Sequence, residues 1–219
     1  KEYLGVSRYS FEPADKEPEI GLVNGLAWTS VGGELLEIEV EALKGTGQLQ
    51  LTGSLGDVMQ ESAKAALTFI KAHAEEFGIT LPLDKKDIHL HVPEGAVPKD
   101  GPSAGITIMT AMLSALSGIP ARADTAMTGE ITLRGRVLEI GGLREKLLAA
   151  YRAGIKRVLI PRANEKDLSD VPDEVKSNME IIGVASAFDV IPLALEHTPQ
   201  KTADAFIPQH AHSGAAAAQ

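Results

Sequence analysis

The chain has 219 residues, enough for one large domain or two small ones with a buried core, and 44% of them are hydrophobic. Its net charge of −9 argues against nucleic acid or an anionic membrane surface as the main partner, because both attract clustered Lys and Arg. The absence of cysteine excludes disulfides, thiol catalysis and Cys-ligated zinc, and no apolar run approaches the ~20 residues that span a bilayer. We therefore expect a cytoplasmic protein without a membrane partner.

The two ends of the chain differ in composition from its middle. Residues 1–18 carry Glu, Pro and Lys in an irregular pattern, which predicts a linker, and the start at Lys1 suggests a fragment of a longer protein. Residues 198–219 are rich in Ala, His and Gln, which predicts a disordered or partly artificial tail. One folded domain is thus expected over residues 19–197.

The first part of this domain is predicted to be a set of strands. Three apolar stretches follow one another at Ile20–Ser30, Glu34–Leu43 and Gly47–Gly53, with glycine-containing turns between them. In the second stretch, Ile38 and Val40 alternate with glutamates, which is typical of a strand with one solvated face.

Helices and strands alternate through the rest of the domain. Asp57 is predicted to cap a helix that runs to about Phe77. The elements expected after it are strand Asp87–Val92, helix Ser103–Ser117, two short strands within Met127–Ile140, helix Leu143–Ala153, strand Arg157–Ile160, strand Met179–Val184 and helix Ala187–Glu196. Strands first and alternating elements later predict an α/β (α+β) domain with a mixed β-sheet and packed helices.

The densest functional signal is Pro98-Lys-Asp-Gly-Pro-Ser-Ala-Gly105, in which two prolines and two glycines surround one serine. Ser103 lies where a tight loop leads into an apolar helix, and free backbone N–H groups at that end can stabilise an oxyanion. Taken alone, a serine at this position is more often a simple N-cap. Ser103 is therefore a candidate nucleophile that needs a base.

Lys146 is the candidate base. A lysine activates a serine only when its amine is neutral, which requires burial or a neighbouring positive charge. On the helix that begins at Leu143, Lys146 falls at the flank of the apolar face. Lysines at such positions usually extend to solvent, so the helical pattern alone leaves its burial open.

Three further features have simple structural interpretations. His89 and His91 have a spacing that suits zinc, but no third ligand is close in sequence, so hydrogen-bonded histidines are favoured over a metal site. Trp28 is interpreted as a core residue, although the strand around it and Thr29 could pair with an extended peptide. The stretch that follows Thr128 is interpreted as a hairpin, with only weak local signs of function at Thr128.

Six segments together resemble the catalytic domain of Lon proteases, in the order of that family and across about Gly21 to Glu196. The segments are Gly25-Leu-Ala-Trp-Thr-Ser-Val-Gly-Gly33, Leu51-Thr-Gly-Ser-Leu-Gly-Asp-Val-Met-Gln-Glu-Ser-Ala63, His91-Val-Pro-Glu-Gly-Ala96, Pro98-Lys-Asp-Gly-Pro-Ser-Ala-Gly105, Met127-Thr-Gly-Glu-Ile-Thr-Leu-Arg-Gly135 and Ile140-Gly-Gly-Leu-Arg-Glu-Lys-Leu-Leu-Ala-Ala150. The resemblance implies the fold of the Lon proteolytic domain, which is similar to ribosomal protein S5 domain 2.

The resemblance also implies roles for individual residues. The family's nucleophile corresponds to Ser103 and its catalytic lysine to Lys146, which implies a serine endopeptidase with a Ser/Lys dyad. Thr128 is placed near the lysine amine. The supporting positions implied beside the nucleophile, with less specific motifs, are Glu94, Lys99, Asp100 and His91.

The same resemblance implies partners outside this chain. Lon proteases carry an ATPase module before the proteolytic domain and work as hexameric rings that unfold their polypeptide substrates. This chain contains no G-x-x-x-x-G-K-[ST] motif, so ATP and Mg²⁺ are expected only for that module and no cofactor or metal is expected here. Isolated, the chain is expected to be a weak ATP-independent peptidase.

Two other interpretations of the sequence remain open. The loop before Ser103 is also similar to the phosphate-binding loops of small-molecule kinases of the mevalonate and homoserine kinase group, although those loops are richer in Gly and Ser. A non-catalytic assembly domain with the same fold is the third possibility. The presence of both Ser103 and Lys146 argues against it, because a scaffold needs neither.

Overall fold

The computed structural model describes residues 17–29, 32–79 and 82–199. Nearly all of the predicted linker, residues 1–18, and of the predicted tail, residues 198–219, lies outside the described residues. The predicted end of the first strand at Ser30 lies outside them as well. Between these limits the chain folds around one large sheet with helices on its faces.

A seven-stranded sheet with strand order β3-β4-β2-β1-β5-β8-β9 forms the centre of the molecule, and β6 and β7 form a separate hairpin. The β1–β2 and β2–β4 pairs are antiparallel, whereas the β3–β4, β1–β5, β5–β8 and β8–β9 pairs are parallel. The strands are β1 (Leu22–Thr29), β2 (Gly32–Lys44), β3 (Leu49–Thr52), β4 (Lys86–His91), β5 (Thr125–Met127), β6 (Glu130–Ile131), β7 (Val137–Leu138), β8 (Arg157–Pro161) and β9 (Glu180–Val184). The predicted mixed sheet is confirmed.

Five α-helices pack on the two faces of this sheet. They are α1 (Asp57–Ala72), α2 (Gly105–Ser117), α3 (Leu143–Arg152), α4 (Asp173–Asn178) and α5 (Ala187–Ala194). Buried side chains of α1, α2 and α5 share a hydrophobic cluster with one face of the sheet, and those of α3 and α4 share a second cluster with the other face. The second helical layer covers β1, β5 and β8 and leaves part of β2 and β4 exposed.

The solvated face predicted for the second strand is observed on β2. Ile38 and Val40 are buried against α1 and α2, while Glu39 and Glu41 are exposed on the opposite face. Strand β4 pairs with this part of β2, and its Ile88 and Leu90 continue the buried face. The period-two pattern was therefore sufficient to orient these strands.

The predicted limits of α1 are wrong at both ends. The helix ends at Ala72, and the chain continues in turns that bury Phe77 against the first cluster. Asp57 is the first helical residue and not the cap, because Gly56 is the N-cap and makes no side-chain cap hydrogen bond. A carboxylate distant in sequence supplies an acceptor for the first turn of the helix, since Asp100 Oδ1 accepts a hydrogen bond from the backbone N–H of Met59 at 3.0 Å.

Two helical segments lie between the predicted strands Arg157–Ile160 and Met179–Val184, where no element was predicted. A 3₁₀ helix spans Arg162–Asp170, and α4 follows it at Asp173–Asn178. Both are short and mostly polar, and they are held by few buried side chains, among them Val175 in the second hydrophobic cluster. Too few apolar residues recur in this stretch for a helical period to be visible.

Across the part of the chain that the structure describes, no helix is both long enough and apolar enough to cross a membrane.

Candidate active site

A cleft of about 960 Å³ opens beside the edge of β1, between the loop 93–101 and the segment that precedes α3. Ser103 and Lys146 both line it. Thr128, to which Lys146 is bonded, directly follows β5, and β5 is parallel to both of its neighbours in the sheet. The carboxyl ends of parallel strands are where α/β sheets usually place their ligand sites.

Ser103 belongs to a 3₁₀ turn, Pro102–Ala104, that leads directly into α2. Its carbonyl oxygen accepts the backbone N–H of Gly129 at 2.7 Å, and the N–H of Ile106 donates back to the Gly129 carbonyl at 3.0 Å. These two bonds join the serine turn to the chain that leaves β5. All residues of α2 from Gly105 to Ser114 are buried, so the helix holds this turn against a rigid core.

Lys146 is buried on α3, with 2% of its surface exposed. The N-cap of this helix is Gly142, which is left-handed with φ of 68°, and the Trp28 ring packs where a β-carbon of residue 142 would lie. Burial lowers the pKa of Lys146 from 10.5 to about 8. The helical pattern had left open whether this side chain reaches solvent, and the structure shows that it does not.

Thr128 connects the lysine to the serine turn. Lys146 Nζ donates to Thr128 Oγ1 at 2.9 Å, and Thr128 Oγ1 donates to the Ser103 carbonyl oxygen at 3.2 Å. Thr128 is itself fully buried, and its N–H is bonded to the Leu159 carbonyl at 3.1 Å. Among the described side chains the lysine amine is bonded to Thr128 and not to the Ser103 hydroxyl, an arrangement common in enzymes without substrate.

The loop 93–101 forms the opposite wall of the cleft and contains Glu94, Lys99 and Asp100. Glu94 is exposed and has a left-handed backbone with φ of 62°. Lys99 Nζ donates to the carbonyls of Glu94 and Val97, at 2.7 and 3.1 Å, so its ammonium holds the loop closed on itself. The Asp100 carboxylate accepts from the N–H of Met59, which anchors the loop to α1.

The interpretation of Trp28 as a core residue is wrong, because 56% of its surface is exposed. Its ring lies over Gly142 at the start of α3 and lines the cleft together with Thr29. Strand β1 pairs with β2 along its whole length but with β5 only at Asn24 and Gly25. Within the described sheet, no strand therefore pairs with Leu26–Trp28 on the side of β1 that faces the cleft.

His91 lies away from the cleft. Thr52 Oγ1 is 2.8 Å from His91 Nδ1 and 2.9 Å from His89 Nε2, on the solvated face of the sheet. The two histidines are thus hydrogen-bonded to one hydroxyl, as the sequence interpretation favoured. Among the described residues, no group of three His, Asp or Glu side chains is arranged to hold a metal ion.

The segment before α3 that lines the cleft was not predicted from the sequence. Glu139, Ile140 and Gly141 line the cleft just before α3, and the side chain of Asn164 holds the Ile140 backbone from behind. Nothing in the sequence around Asn164 marks it as special, because it is one polar residue among many in an irregular stretch. Only the tertiary structure brings it to the site.

Comparisons with known proteins identify the family. The model of the Lon protease (S16) C-terminal proteolytic domain matches residues 1–197. The chain is 54% identical to a Lon protease of Brucella suis biovar 1, over 99% of this chain and 28% of that protein. It is 57% identical to a Lon protease of Haemophilus influenzae, over 91% of this chain and 25% of that protein. It is 58% identical to a Lon protease of Erwinia amylovora, over 91% of this chain and 26% of that protein.

The fold and these relatives define the class of the protein, which is a serine endopeptidase domain. The chain belongs to the Lon protease family, as a C-terminal proteolytic domain. The expected resemblance is therefore confirmed, and the small-molecule kinase interpretation has no support from the relatives. The chain spans about a quarter of the length of the curated relatives it matches.

Proposed function

We propose that this domain cleaves unfolded polypeptides with Ser103 as nucleophile and Lys146 as general base. The observation that carries the proposal is the burial of the Lys146 amine beside the turn that holds Ser103, with a neutral hydroxyl as its hydrogen-bond partner. A buried ammonium without a carboxylate partner loses its proton easily, and a neutral amine is what a serine nucleophile requires. If Ser103 were only an N-cap and Lys146 extended to solvent, the amine would not be buried beside the serine turn.

The pKa of Lys146 decides how much of the enzyme is active. With a pKa of about 8, roughly a tenth of the amines are neutral at pH 7, compared with fewer than one in a thousand for an ordinary lysine. The bond to Thr128 uses one amine hydrogen and orients the nitrogen lone pair. Peptide cleavage should therefore increase as the pH rises from 7 to 9.

Acylation begins when the neutral Lys146 amine accepts the proton of the Ser103 hydroxyl. The serine oxygen attacks the carbonyl carbon of the scissile peptide bond, and the negative charge moves to the carbonyl oxygen. The N–H groups of Gly105 and Ile106 are already bonded to Pro102 and Gly129. The N–H groups at the start of the turn, those of Ser103 and Ala104, are the candidates for the oxyanion site because the first N–H groups of a helix lack internal acceptors.

Collapse of the tetrahedral intermediate then breaks the peptide bond. The Lys146 ammonium gives its proton to the departing amine, which leaves as the new N-terminus of one product, and the other half remains as an ester of Ser103. A water molecule that gives its proton to Lys146 attacks this ester. Return of the proton to the serine oxygen releases the carboxylate product and restores the free enzyme.

The open edge of β1 is the proposed site for the substrate backbone. An extended peptide that pairs with the edge at Leu26–Trp28 would lie along the cleft wall, which Thr29 also lines, towards Ser103. Main-chain hydrogen bonds of this kind bind any extended sequence but no folded one. The proposed substrates are accordingly unfolded, misfolded or regulatory polypeptides.

The remaining proposals concern the longer protein. We infer an ATPase module that precedes this domain, which is supported by the match to a C-terminal domain and by the greater length of the Lon protease relatives. Homo-hexameric assembly and a cytoplasmic location are proposed from the resemblance to Lon proteases alone. ATP and Mg²⁺ would then act on that module, and residues 1–18 would connect it to the proteolytic domain. Cleavage of small unstructured peptides by this chain should not depend on ATP.

Hydrolysis of an unstructured fluorogenic peptide tests the dyad. The purified chain is compared with its Ser103→Ala and Lys146→Met variants, without ATP, and each variant is checked for folding by circular dichroism. We expect activity in the parent and a loss of at least about a thousandfold in both variants, because each removes a group required in the transition state. Equal activity in all three chains would contradict the dyad, and strong stimulation by ATP would contradict the proposed ATP independence.

A further inference from the structure

Asn164 is a buried polar side chain outside the proposed dyad, with only 2% of its surface exposed. It lies in the 3₁₀ helix that follows β8. Its side-chain oxygen accepts the N–H of Ile140 at 2.9 Å, and its amide nitrogen donates to the carbonyl of the same residue at 2.9 Å. One side chain thus satisfies both backbone polar groups of a residue 24 positions away.

The orientation of this amide is fixed by Asp167. The Asn164 nitrogen also donates to Asp167 Oδ2 at 2.7 Å. A carboxylate only accepts hydrogen bonds, so the nitrogen must face Asp167 and the oxygen must face the Ile140 N–H. The amide therefore forms the two backbone hydrogen bonds with Ile140 that a neighbouring strand would form. Ile140 lies after the end of β7, where none of the described strands is paired with it.

The residue that Asn164 holds belongs to the segment between the cleft and the lysine. Ile140 and Gly141 line the cleft, and α3 begins two residues later with a bond from the Lys146 N–H to the Gly142 carbonyl at 3.1 Å. Two adjacent glycines make this segment intrinsically flexible. The polar contacts from the 3₁₀ helix to this segment include the two bonds of Asn164 to Ile140, which are buried, and an exposed ion pair between Lys166 and Glu139.

We propose that Asn164 is a positioning residue, which holds the Ile140–Gly142 segment so that Lys146 stays buried at the depth needed to act on Ser103. The inference rests on the proposed dyad. Asn164 does not contact the cleft and takes no part in proton transfer. Its effect reaches the reaction through the position of the amine and through the exclusion of water from it.

The effect should be visible in the pH dependence of activity. A loosened segment admits water to the Lys146 amine, and its pKa then rises from about 8 towards 10.5. Below the pKa, each unit of increase lowers the neutral fraction about tenfold. The other titratable side chains that line the cleft with Lys146 are Glu34, Glu37, Glu94, Lys99, Asp100 and Glu139.

The test measures kcat, KM and the pH–rate profile of peptide hydrolysis for Asn164→Ala. The matched control is Asn178→Ala, whose side chain donates to the Glu174 carbonyl on exposed α4. We expect kcat to fall about 10- to 100-fold in N164A, as for small displacements of a catalytic group, with KM changed little. The acid limb of its profile should move up by about one unit, whereas N178A should match the parent.

A second variant covers the case in which Asn164→Ala does not fold. Asp167→Ala leaves both bonds to Ile140 in place but removes the partner that orients the amide, so it should move the acid limb in the same direction by a smaller amount. Thermal unfolding identifies which variants are folded. The inference would be overturned if N164A folds and its pH–rate profile has the same acid limb as the parent. If N164A does not fold, the same result for a folded D167A would overturn it. Undiminished activity of Lys146→Met, measured alongside, would instead overturn the dyad itself.

Discussion

The two walls of the cleft each carry a lysine, and the two lysines differ in almost every respect. Lys146 is buried on α3, with its amine bonded to a buried threonine. Lys99 lies on the loop 93–101, and its ammonium donates hydrogen bonds to two carbonyls of that same loop. The first lies on a helix that packs into the second hydrophobic cluster, whereas the second lies on a loop that backbone hydrogen bonds join to the segment 54–56 before α1.

This difference indicates a division of tasks within the site. The groups proposed for the chemistry lie on elements that pack into the core, where position and desolvation are fixed. The wall formed by Glu94, Lys99 and Asp100 is mostly exposed, and hydrogen bonds join it to the chain around the start of α1, two through the Lys99 backbone and one through the Asp100 carboxylate. Such a wall can change position at a lower free-energy cost than α3 can.

The largest expected contrast is in stability. The pKa of Lys146 is lowered on folding, so between about pH 8 and 10.5 the unfolded chain binds a proton that the folded chain does not. The folded state therefore loses stability as the pH falls from 10.5 to 8, and the full cost of about 3 kcal/mol remains below pH 8. Lys146→Met should raise the free energy of unfolding at pH 7 by about 2 to 3 kcal/mol, measured by urea denaturation.

Lys99→Met is the matched variant for that measurement. It replaces a lysine on the exposed loop, and we expect its free energy of unfolding at pH 7 to stay within about 0.5 kcal/mol of the parent. The gain from Lys146→Met should shrink as the pH approaches 10.5, since the parent amine is then neutral in the folded state and half neutral in the unfolded state. Equal effects of the two substitutions, or a gain that does not depend on pH, would remove the distinction between the two walls.

A smaller effect is expected at Thr128, which links Lys146 to the serine turn. Thr128→Val keeps the shape but removes the acceptor for the amine and the donor to the Ser103 carbonyl. The loss of about 1.5 kcal/mol of oriented hydrogen bonding should lower kcat about tenfold. Thr128→Ser retains the hydroxyl and should keep most of the activity, as measured by steady-state peptide hydrolysis.

The comparison of these two variants separates the hydroxyl from the packing at position 128. If Thr128→Ser loses as much activity as Thr128→Val, the methyl group matters and the hydrogen-bonded link does not. Parent-like activity of Thr128→Val would also count against the link. Neither variant alters the loop 93–101, so each result concerns the buried wall only.

The sequence predicted the sheet better than it predicted the contacts between distant segments. Alternation along β2 was enough to assign Ile38 and Val40 to the core, because successive residues of a strand face opposite sides of the sheet. The α1 cap was assigned to Asp57, yet the carboxylate that serves it is Asp100, on a loop 41 residues away. Trp28 was assigned to the core as the simplest interpretation of the only tryptophan, whereas its ring is half exposed and lies over Gly142.

In the candidate site, too, local patterns and motifs predicted more than the contacts between distant segments. Family motifs were enough to select Ser103 and Lys146, but the burial of the lysine depends on α3 packing against the sheet and could not be read from the helical pattern. Asn164 could not be selected at all, since its partner Ile140 is distant in sequence. Residues that act through long-range backbone bonds leave no local pattern.

The central claim is that the buried Lys146 amine activates Ser103. The most direct test is the rate at which a serine-directed fluorophosphonate labels the chain between pH 6 and 10, followed by intact mass and by peptide mapping of the labelled serine. We predict a label on Ser103 whose rate rises about tenfold per pH unit and levels off near pH 8, and a slow rate without this inflection in Lys146→Met. The same inflection in Lys146→Met, or a label on another serine, would contradict the account.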